Sequence, residues 1–433
     1  MAPIHLLVLI HGMWGSPIHL AELARIAQET YAEPSLDGVQ LKVLLAETNS
    51  EESTYDGIDW GGERVAKEVA VKVKELEEVG DEVTRFSVTG YSLGGLVARY
   101  LVGILYQRGF FEKITPVNFN TIATPHIGLP RYSSFMSSVF SSLGPRLLSR
   151  TGEQFYCADK WSPSGRPLLL VMADPGDLVS SYRLDRIFHQ ALATFEHIRI
   201  YANSINDTTV PYVTAAIETY DPFAEYEING IKLEFHDKYT PIIRAYELPD
   251  VPPPIPPKPV VLSADWFRKM KSSRPFLPPF LQFRFPFNIL LYSCLPILIP
   301  VFVSLALLRL TLASRSSRAR IKVLEQDESN QDRLIHILAE IEKEMEDAMV
   351  DFIDDPDPSP ETKAKSPAKQ PILTAHQRKI VGWLNMLPIK KELAFFPRVR
   401  NSHAMIVCRD IKRFEAHRLG EGVVRHWADS LIL

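Results

Sequence analysis

The chain has 433 residues, 46% of them hydrophobic and 23% charged, with 48 Lys and Arg against 52 Asp and Glu. That composition supports a sizeable core and excludes wholesale disorder, and the near-neutral balance argues against nucleic acid as the main partner, because phosphate binding calls for a cationic excess. The length fits one large domain with an insertion, or two domains, and three cysteines (Cys157, Cys294, Cys408) are too few for a disulfide framework, which points to a reducing compartment.

The first nine residues after Met1 form an apolar run ending in His11-Gly12. It has no early Lys or Arg and leads into a turn, so it reads as a buried strand and not as a cleaved signal peptide. A second strand is expected at Val39–Ala46, followed by a helix from about Gly62 to Val79 whose Glu–Lys spacings suit a solvated face. Then come a strand at Phe86–Thr89, a turn at Gly90–Gly94 and a helix from Gly95 to Leu105; Val117–Ile122, Leu168–Met172 and Ile198–Ala202 read as further strands. Strands alternating with helices over 200 residues predict an α/β fold with a mostly parallel sheet.

From about residue 225 the character changes. Residues 252–259 form a stiff proline-rich linker, and residues 274–287 crowd five Phe and four Pro between arginines. Ile289–Leu308 is a 20-residue stretch without a charge, interrupted by Pro296 and Pro300. Residues 328–352 read as an acidic amphipathic helix with a solvated or partner-packing face, and residues 354–371 as a tether rich in Pro, Ser and Lys. The last 50 or so residues regain globular character and predict a helix from about Asp410 to Ser430. The division expected is a core in two pieces, 1–225 and 380–433, around an insertion at 226–379.

The sharpest chemical signal is Gly90-x-Ser92-x-Gly94 between a strand and a helix. A hydroxyl is a poor nucleophile unless it is exposed, deprotonated by a base and set beside an oxyanion stabiliser. A tight strand–turn–helix presents Ser92 in this way, its flanking glycines avoiding collisions, and the N–H of Leu93 at the helix start points to the developing oxyanion. His11-Gly12-Met13, directly after the first strand, is the expected source of the second oxyanion N–H, that of Met13, with His11 bracing the loop. For the acid, Asp207 follows the strand that ends near Ala202, with Asp174 and Asp177 as rivals. For the base, the order Ser, acid, His leaves six histidines beyond Asp207. His336 and His376 lie in the insertion, and His417 and His426 in the expected final helix. His236 has a strand-like setting, while His403 sits in a loop between a candidate strand (Leu393–Phe396) and the last helix, the expected place. No Cys/His metal spacing is present, and no cofactor is required. Residues 126–165, with Phe135, Met136, Val139 and Phe140, fit a lid or acyl-chain wall and equally ordinary core packing.

The combination of Leu9–Gly15, Thr54-Tyr55-Asp56-Gly57-Ile58-Asp59, Gly90–Gly95, Thr121–Gly128, Tyr201-Ala202-Asn203 and Asp207-x-x-Val-Pro resembles the putative serine esterase family that includes lipid-droplet phospholipases. The likeness covers residues 1 to about 220 and returns near His403. It implies an α/β-hydrolase fold, a triad of Ser92, Asp207 and His403, and hydrolysis of acyl esters of lipids. Two other functions compete: a non-catalytic lipid-surface adaptor on a hydrolase scaffold, and a thioesterase acting on acylated protein.

Ile289–Leu308 is long enough to cross a bilayer core, at about 1.5 Å per residue against about 30 Å. From Trp266 to Leu324 there is no Asp or Glu, and ten basic residues divide evenly about the run, whereas a spanning helix carries its basic bias on one side. A spanning segment would also strand His403 across the membrane from Ser92. The expectation is therefore a kinked hairpin or an interfacial segment, with residues 274–322 contacting a membrane or lipid-droplet monolayer. The expected location is a lipid droplet or the cytosolic face of the endoplasmic reticulum.

Overall fold

In a computed structural model, residues 2–176, 186–251, 287–327, 333–336 and 369–433 are described, with short pieces at 253–254 and 263–264. Ten strands are formed among the described residues: β1 (Ala2–Ile10), β2 (Gln40–Leu45), β3 (Asp81–Tyr91), β4 (Thr115–Ile122), β5 (Arg131–Tyr132), β6 (His197–Asn203), β7 (Lys232–Phe235), β8 (Ile242–Glu247), β9 (Pro371–Ile372) and β10 (Ile389–Ala394). The α-helices are α1 (Ala21–Thr30), α2 (Ile58–Glu78), α3 (Leu93–Gln107), α4 (Phe135–Leu147), α5 (Ser149–Phe155), α6 (Leu168–Val171), α7 (Ile187–Ala193), α8 (Tyr212–Ala215), α9 (Phe287–Gln326), α10 (Ala375–Leu384) and α11 (Glu421–Asp429).

The main sheet has eight strands in the order β2-β1-β3-β4-β6-β10-β8-β7. The first six are parallel, and the β8–β7 hairpin joins β10 antiparallel. With helices on its faces this is the α/β-hydrolase arrangement. Burial on both faces explains the uninterrupted apolar sequence of β1, whose residues from Ile4 to Ile10 are all buried. The long helix α2 turns Val65, Ala66, Val69 and Leu76 to the core and, from Lys67 onward, its Glu and Lys residues outward, as its spacing predicts, whereas Glu63 in its first turns is buried. Helix α3 is buried all round from Leu93 to Leu105, so it runs through the core and not along the surface. β7 and β8, in the stretch assigned to the insertion, extend the sheet.

Three local expectations are corrected. Leu168–Met172 is helical, not a strand (α6). A short apolar run has no period to separate the two states, and both sides of β4 are already paired, with β3 and β6. The final helix is shorter than Asp410–Ser430: a six-residue 3-10 helix at Glu415–Gly420 precedes α11. Gly420 packs so closely that a Cβ there would stand 1.7 Å from the carbonyl oxygen of Met405.

The third concerns the apolar segment. Phe287–Gln326 is one 40-residue helix running through Pro296 and Pro300, and no hairpin turn interrupts it. Two prolines remove only two donors from so long a ladder. Its first part is solvent-facing, with Leu290, Ile297, Phe302 and Leu305 exposed, and by length and composition it suffices to cross a membrane. Its last part is docked: Ala313, Ser314, Ser317 and Ile321 are buried on one face, at i, i+4 and i+8 spacing. Of the acidic stretch, Arg333 and Leu334 are buried in the core, while most of residues 328–352 and of the tether 354–371, the linker 252–259 and the Phe/Pro stretch 274–286 lie outside the described residues.

Candidate active site

β3 ends at Tyr91 and α3 begins at Leu93, so Ser92 occupies the whole turn, at φ 56° and ψ −125°. A non-glycine residue rarely holds that conformation. It is fixed by the Ser92 N–H donating to the Ile122 carbonyl of β4 at 2.9 Å, and by close packing at the glycines around it. A Cβ on Gly94 would stand 2.1 Å from the Ile10 carbonyl oxygen, and one on Gly12 would stand 2.7 Å from Ser92 Cβ. The turn after β3 and the His11–Gly15 loop after β1 are thus in direct contact.

Ser92 Oγ lies 3.0 Å from His403 Nε2, and His403 Nδ1 lies 2.9 Å from Asp207 Oδ2. The structure therefore brings Ser92, Asp207 and His403 into one hydrogen-bonded chain across 311 residues of sequence. Asp207 follows β6, and His403 follows β10, which pairs in parallel with β6. The carboxylate is held on all sides: Oδ2 also accepts from Asn203 Nδ2 at 2.8 Å, and Oδ1 accepts from the N–H groups of Thr209 (3.0 Å) and Val210 (2.8 Å). On the other side the Tyr91 hydroxyl donates to the His403 carbonyl at 2.9 Å, and the two rings lie 5.1 Å apart. Burial pushes the Tyr91 phenol above its usual range, so it stays a donor.

The rivals lie elsewhere. Asp174 pairs with Arg166 and accepts from the Gly176 N–H, and Asp177 lies outside the described residues. His236 packs against Tyr239 and His426. His417 Nδ1 accepts from the Asp410 N–H, and His426 Nδ1 meets the Tyr201 hydroxyl.

Met13 borders the cavity in front of Ser92, and Leu93 holds the first position of α3, where an N–H has no partner within its own helix. His11 is buried with Nδ1 3.0 Å from the Gly12 carbonyl oxygen, bracing the loop, and burial lowers its basicity. Trp14 adopts φ 53°; its N–H donates to Thr54 Oγ1 at 3.2 Å and its Nε1–H to the Tyr55 hydroxyl at 2.8 Å.

The cavity has a volume of about 210 Å³. Leu129, Leu148 and Phe155 give it an apolar wall, Arg409 adds a cationic edge, and His19 lies beside it. Burial, then the charge of Arg409, depresses the basicity of His19. Of the residues read as lid or wall, Leu129, Leu148 and Phe155 border the cavity, whereas Phe135, Met136 and Phe140 of α4 are exposed. Among the described residues no group of three or more His, Cys, Asp or Glu is placed to hold a metal ion.

Sequence reasoning assigned no role to Asn203, Tyr91 or Arg409. Asn203 lay within a noted motif, and Tyr91 within the elbow itself. Arg409 had no local signal.

A family model described as putative serine esterase matches residues 1–219. A putative lipase of Schizosaccharomyces pombe is 30% identical over 218 residues, 49% of this chain and 26% of that protein. The putative lipase ROG1 of Saccharomyces cerevisiae is 27% identical over 252 residues, 57% of this chain and 33% of that protein. The chain thus matches between a quarter and a third of the length of these relatives. Among solved structures, the rice cell wall degrading esterase LipA from Xanthomonas oryzae aligns with 49% of this chain and 69% of its own, at 16% identity and a TM-score of 0.25. A gene product of Listeria innocua aligns with 48% and 75%, at 13% identity and a TM-score of 0.26.

Proposed function

The chain belongs to the putative serine esterase family, and we propose that it is a phospholipase or lipase, cleaving carboxylic esters of lipids at a membrane or lipid-droplet surface. The observation that carries this reading is the Ser92–His403–Asp207 chain of hydrogen bonds opening on an apolar cavity. Ser92 Oγ attacks the ester carbonyl while His403 Nε2 takes its proton. Asp207 holds the opposite ring nitrogen and stabilises the imidazolium, and the N–H groups of Met13 and Leu93 receive the oxyanion. Collapse of the tetrahedral species expels the alcohol, which receives the proton from His403. Water then repeats the cycle on the acyl-enzyme, releasing the fatty acid and restoring Ser92.

Two features support a lipid substrate at a surface. The exposed apolar part of α9 supplies a segment that lipid would cover, and the basic residues around it favour an anionic headgroup layer. A lipid droplet or the cytosolic face of the endoplasmic reticulum offers such a layer. The Arg409 guanidinium beside the apolar wall favours a phospholipid over a neutral glyceride.

A fluorophosphonate probe tests the nucleophile: wild-type protein is expected to label and Ser92→Ala not to. Equal labelling of the two would overturn the enzyme reading in favour of an adaptor. Parallel turnover of phospholipid, triacylglycerol and acyl-thioester substrates then ranks the substrate classes, and a preference for the thioester would replace the lipase reading.

A further inference from the structure

The segment Thr54–Asp59 lies outside the reaction just described, yet it carries two fully buried carboxylates, Asp56 and Asp59. Both face the inserted part of the chain. Asp56 Oδ1 accepts from Ser317 Oγ at 2.7 Å and from Arg320 Nη2 at 2.9 Å, both on α9. Asp56 Oδ2 accepts from Arg64 Nη2 at 2.5 Å and from Arg320 Nε at 3.3 Å. Asp59 binds Arg150 and Arg333, the latter stacked 3.5 Å from the centre of the Trp60 ring. The docked end of the apolar helix is thus tied to the hydrolase core by desolvated charges, which hold geometry far more strictly than surface pairs.

The ties do not stop at Asp56. Arg320 Nη2 also donates to the Glu52 carbonyl at 2.9 Å, and the Asp56 N–H to the Ser53 carbonyl at 3.2 Å, which fixes the single helical turn Glu51–Tyr55. That turn holds the oxyanion loop at three points: Glu51 N–H to the Gly15 carbonyl at 3.0 Å, Trp14 N–H to Thr54 Oγ1, and Trp14 Nε1–H to the Tyr55 hydroxyl. Met13 immediately precedes Trp14, which is kept at a left-handed φ by these bonds.

We propose that Asp56 is a positioning residue: clamped by Ser317 and Arg320, it transmits the docking of the lipid-facing helix α9 to the oxyanion loop through Thr54 and Tyr55. This rests on the esterase reading above. Its consequence is that the site is fully set only when α9 is seated. Oxyanion donors act only within a few tenths of an ångström of their target, so a loosened turn lowers turnover more than ground-state binding.

The test uses the full chain in detergent micelles, with p-nitrophenyl butyrate as a water-soluble ester. Arg320→Gln and Tyr55→Phe, at opposite ends of the strut, are each expected to lower kcat about 10-fold with KM changed less than twofold. Because they act in series, the double variant is expected to be no worse than the poorer single one. Ser317→Ala, a smaller change, is expected to shift kcat in the same direction. Hydrogen exchange gives a readout independent of activity: Arg320→Gln should speed exchange of the amides of residues 12–15. A wild-type kcat in folded Arg320→Gln, multiplicative losses in the double variant, or unchanged exchange at residues 12–15 would overturn the proposal. Should Arg320→Gln fail to fold, Ser317→Ala and Tyr55→Phe carry the same comparison. Should wild type itself hydrolyse no ester, the esterase reading falls, and the exchange result still judges the strut.

Discussion

Replacing Asp207 by Asn is the most discriminating single change at the site, because the carboxylate accepts four hydrogen bonds and donates none. Oδ1 receives two backbone N–H groups, from Thr209 and Val210, which cannot turn away. The carbonyl oxygen of the new amide must therefore keep that side, and its NH2 group faces His403 Nδ1 and Asn203. His403 can satisfy it only by accepting at Nδ1, which moves the ring proton to Nε2, where it can no longer take the proton of Ser92 Oγ. The wrong tautomer costs about 10⁴-fold in kcat, or about 5.4 kcal/mol at 1.36 kcal/mol per decade. Folding is spared: Asn203 can rotate its own amide to offer Oδ1, which has no partner in the native protein, so a Tm shift of no more than about 3 °C is expected. The assay is kcat on p-nitrophenyl butyrate for Asp207→Asn beside Asp174→Asn. Retention of more than a tenth of wild-type kcat by the first, or an equal loss in the second, would refute the assignment of the acid.

Three further outcomes are expected. Arg409→Gln should lower turnover of an anionic phospholipid about 10-fold, by loss of a charged hydrogen bond, while leaving p-nitrophenyl butyrate within twofold; equal losses on both would remove the headgroup role of this cation. Phe302→Asp with Leu305→Asp should release the protein from vesicles in a flotation assay, since each carboxylate in the acyl layer costs about 3 kcal/mol; unchanged flotation would place the lipid contact elsewhere. His5 is buried against Ser87 Oγ at 2.7 Å, and burial, then the charge of Arg85, hold its pKa near about 3. The unfolded chain, with a His pKa of about 6.5, binds the extra proton in between, so this part of the stability is complete above pH 6.5 and lost as pH falls, by about 2 kcal/mol at pH 5. Urea denaturation of His5→Gln should show a flatter loss of stability between pH 7 and 5, and an unaltered slope would sink that account.

The parallel sheet and the serine elbow were legible because each rests on local rules: buried strands of β-branched and aliphatic residues, and a turn so tight that Gly90 and Gly94 are obligatory. Ser92, Asp207 and His403 could be gathered from chain order because the loops after β3, β6 and β10 open on the same end of a parallel sheet. What stayed hidden depends on partners distant in sequence. Nothing local marks Leu168–Met172 as helix; its fate follows from β4 having no free side. Asp56 and Asp59 stand in the sequence only as part of the motif Thr54–Asp59, and their office as anchors is visible only once Arg320 and Arg333 arrive from more than 260 residues away. The apolar helix was recognised by its lack of charge, but its docked end, where Ser314, Ser317 and Arg320 alternate with small residues, looks like ordinary solvated sequence.

The position of β10 between β6 and β8 also orders events in time. Until residues 389–394 leave the ribosome, β6 has an open edge, and the β7–β8 hairpin has nothing to join. The apolar helix, some 95 residues upstream of His403, emerges about 5–20 s earlier at ordinary synthesis rates. If the proposed lipid contact holds, a nascent chain would meet lipid while its sheet is unfinished and before His403 can reach Ser92. During that interval the bare edge of β6 is open to mispairing with other chains, and early capture of the helix by a lipid surface would keep neighbouring nascent chains apart until the last strand closes the gap.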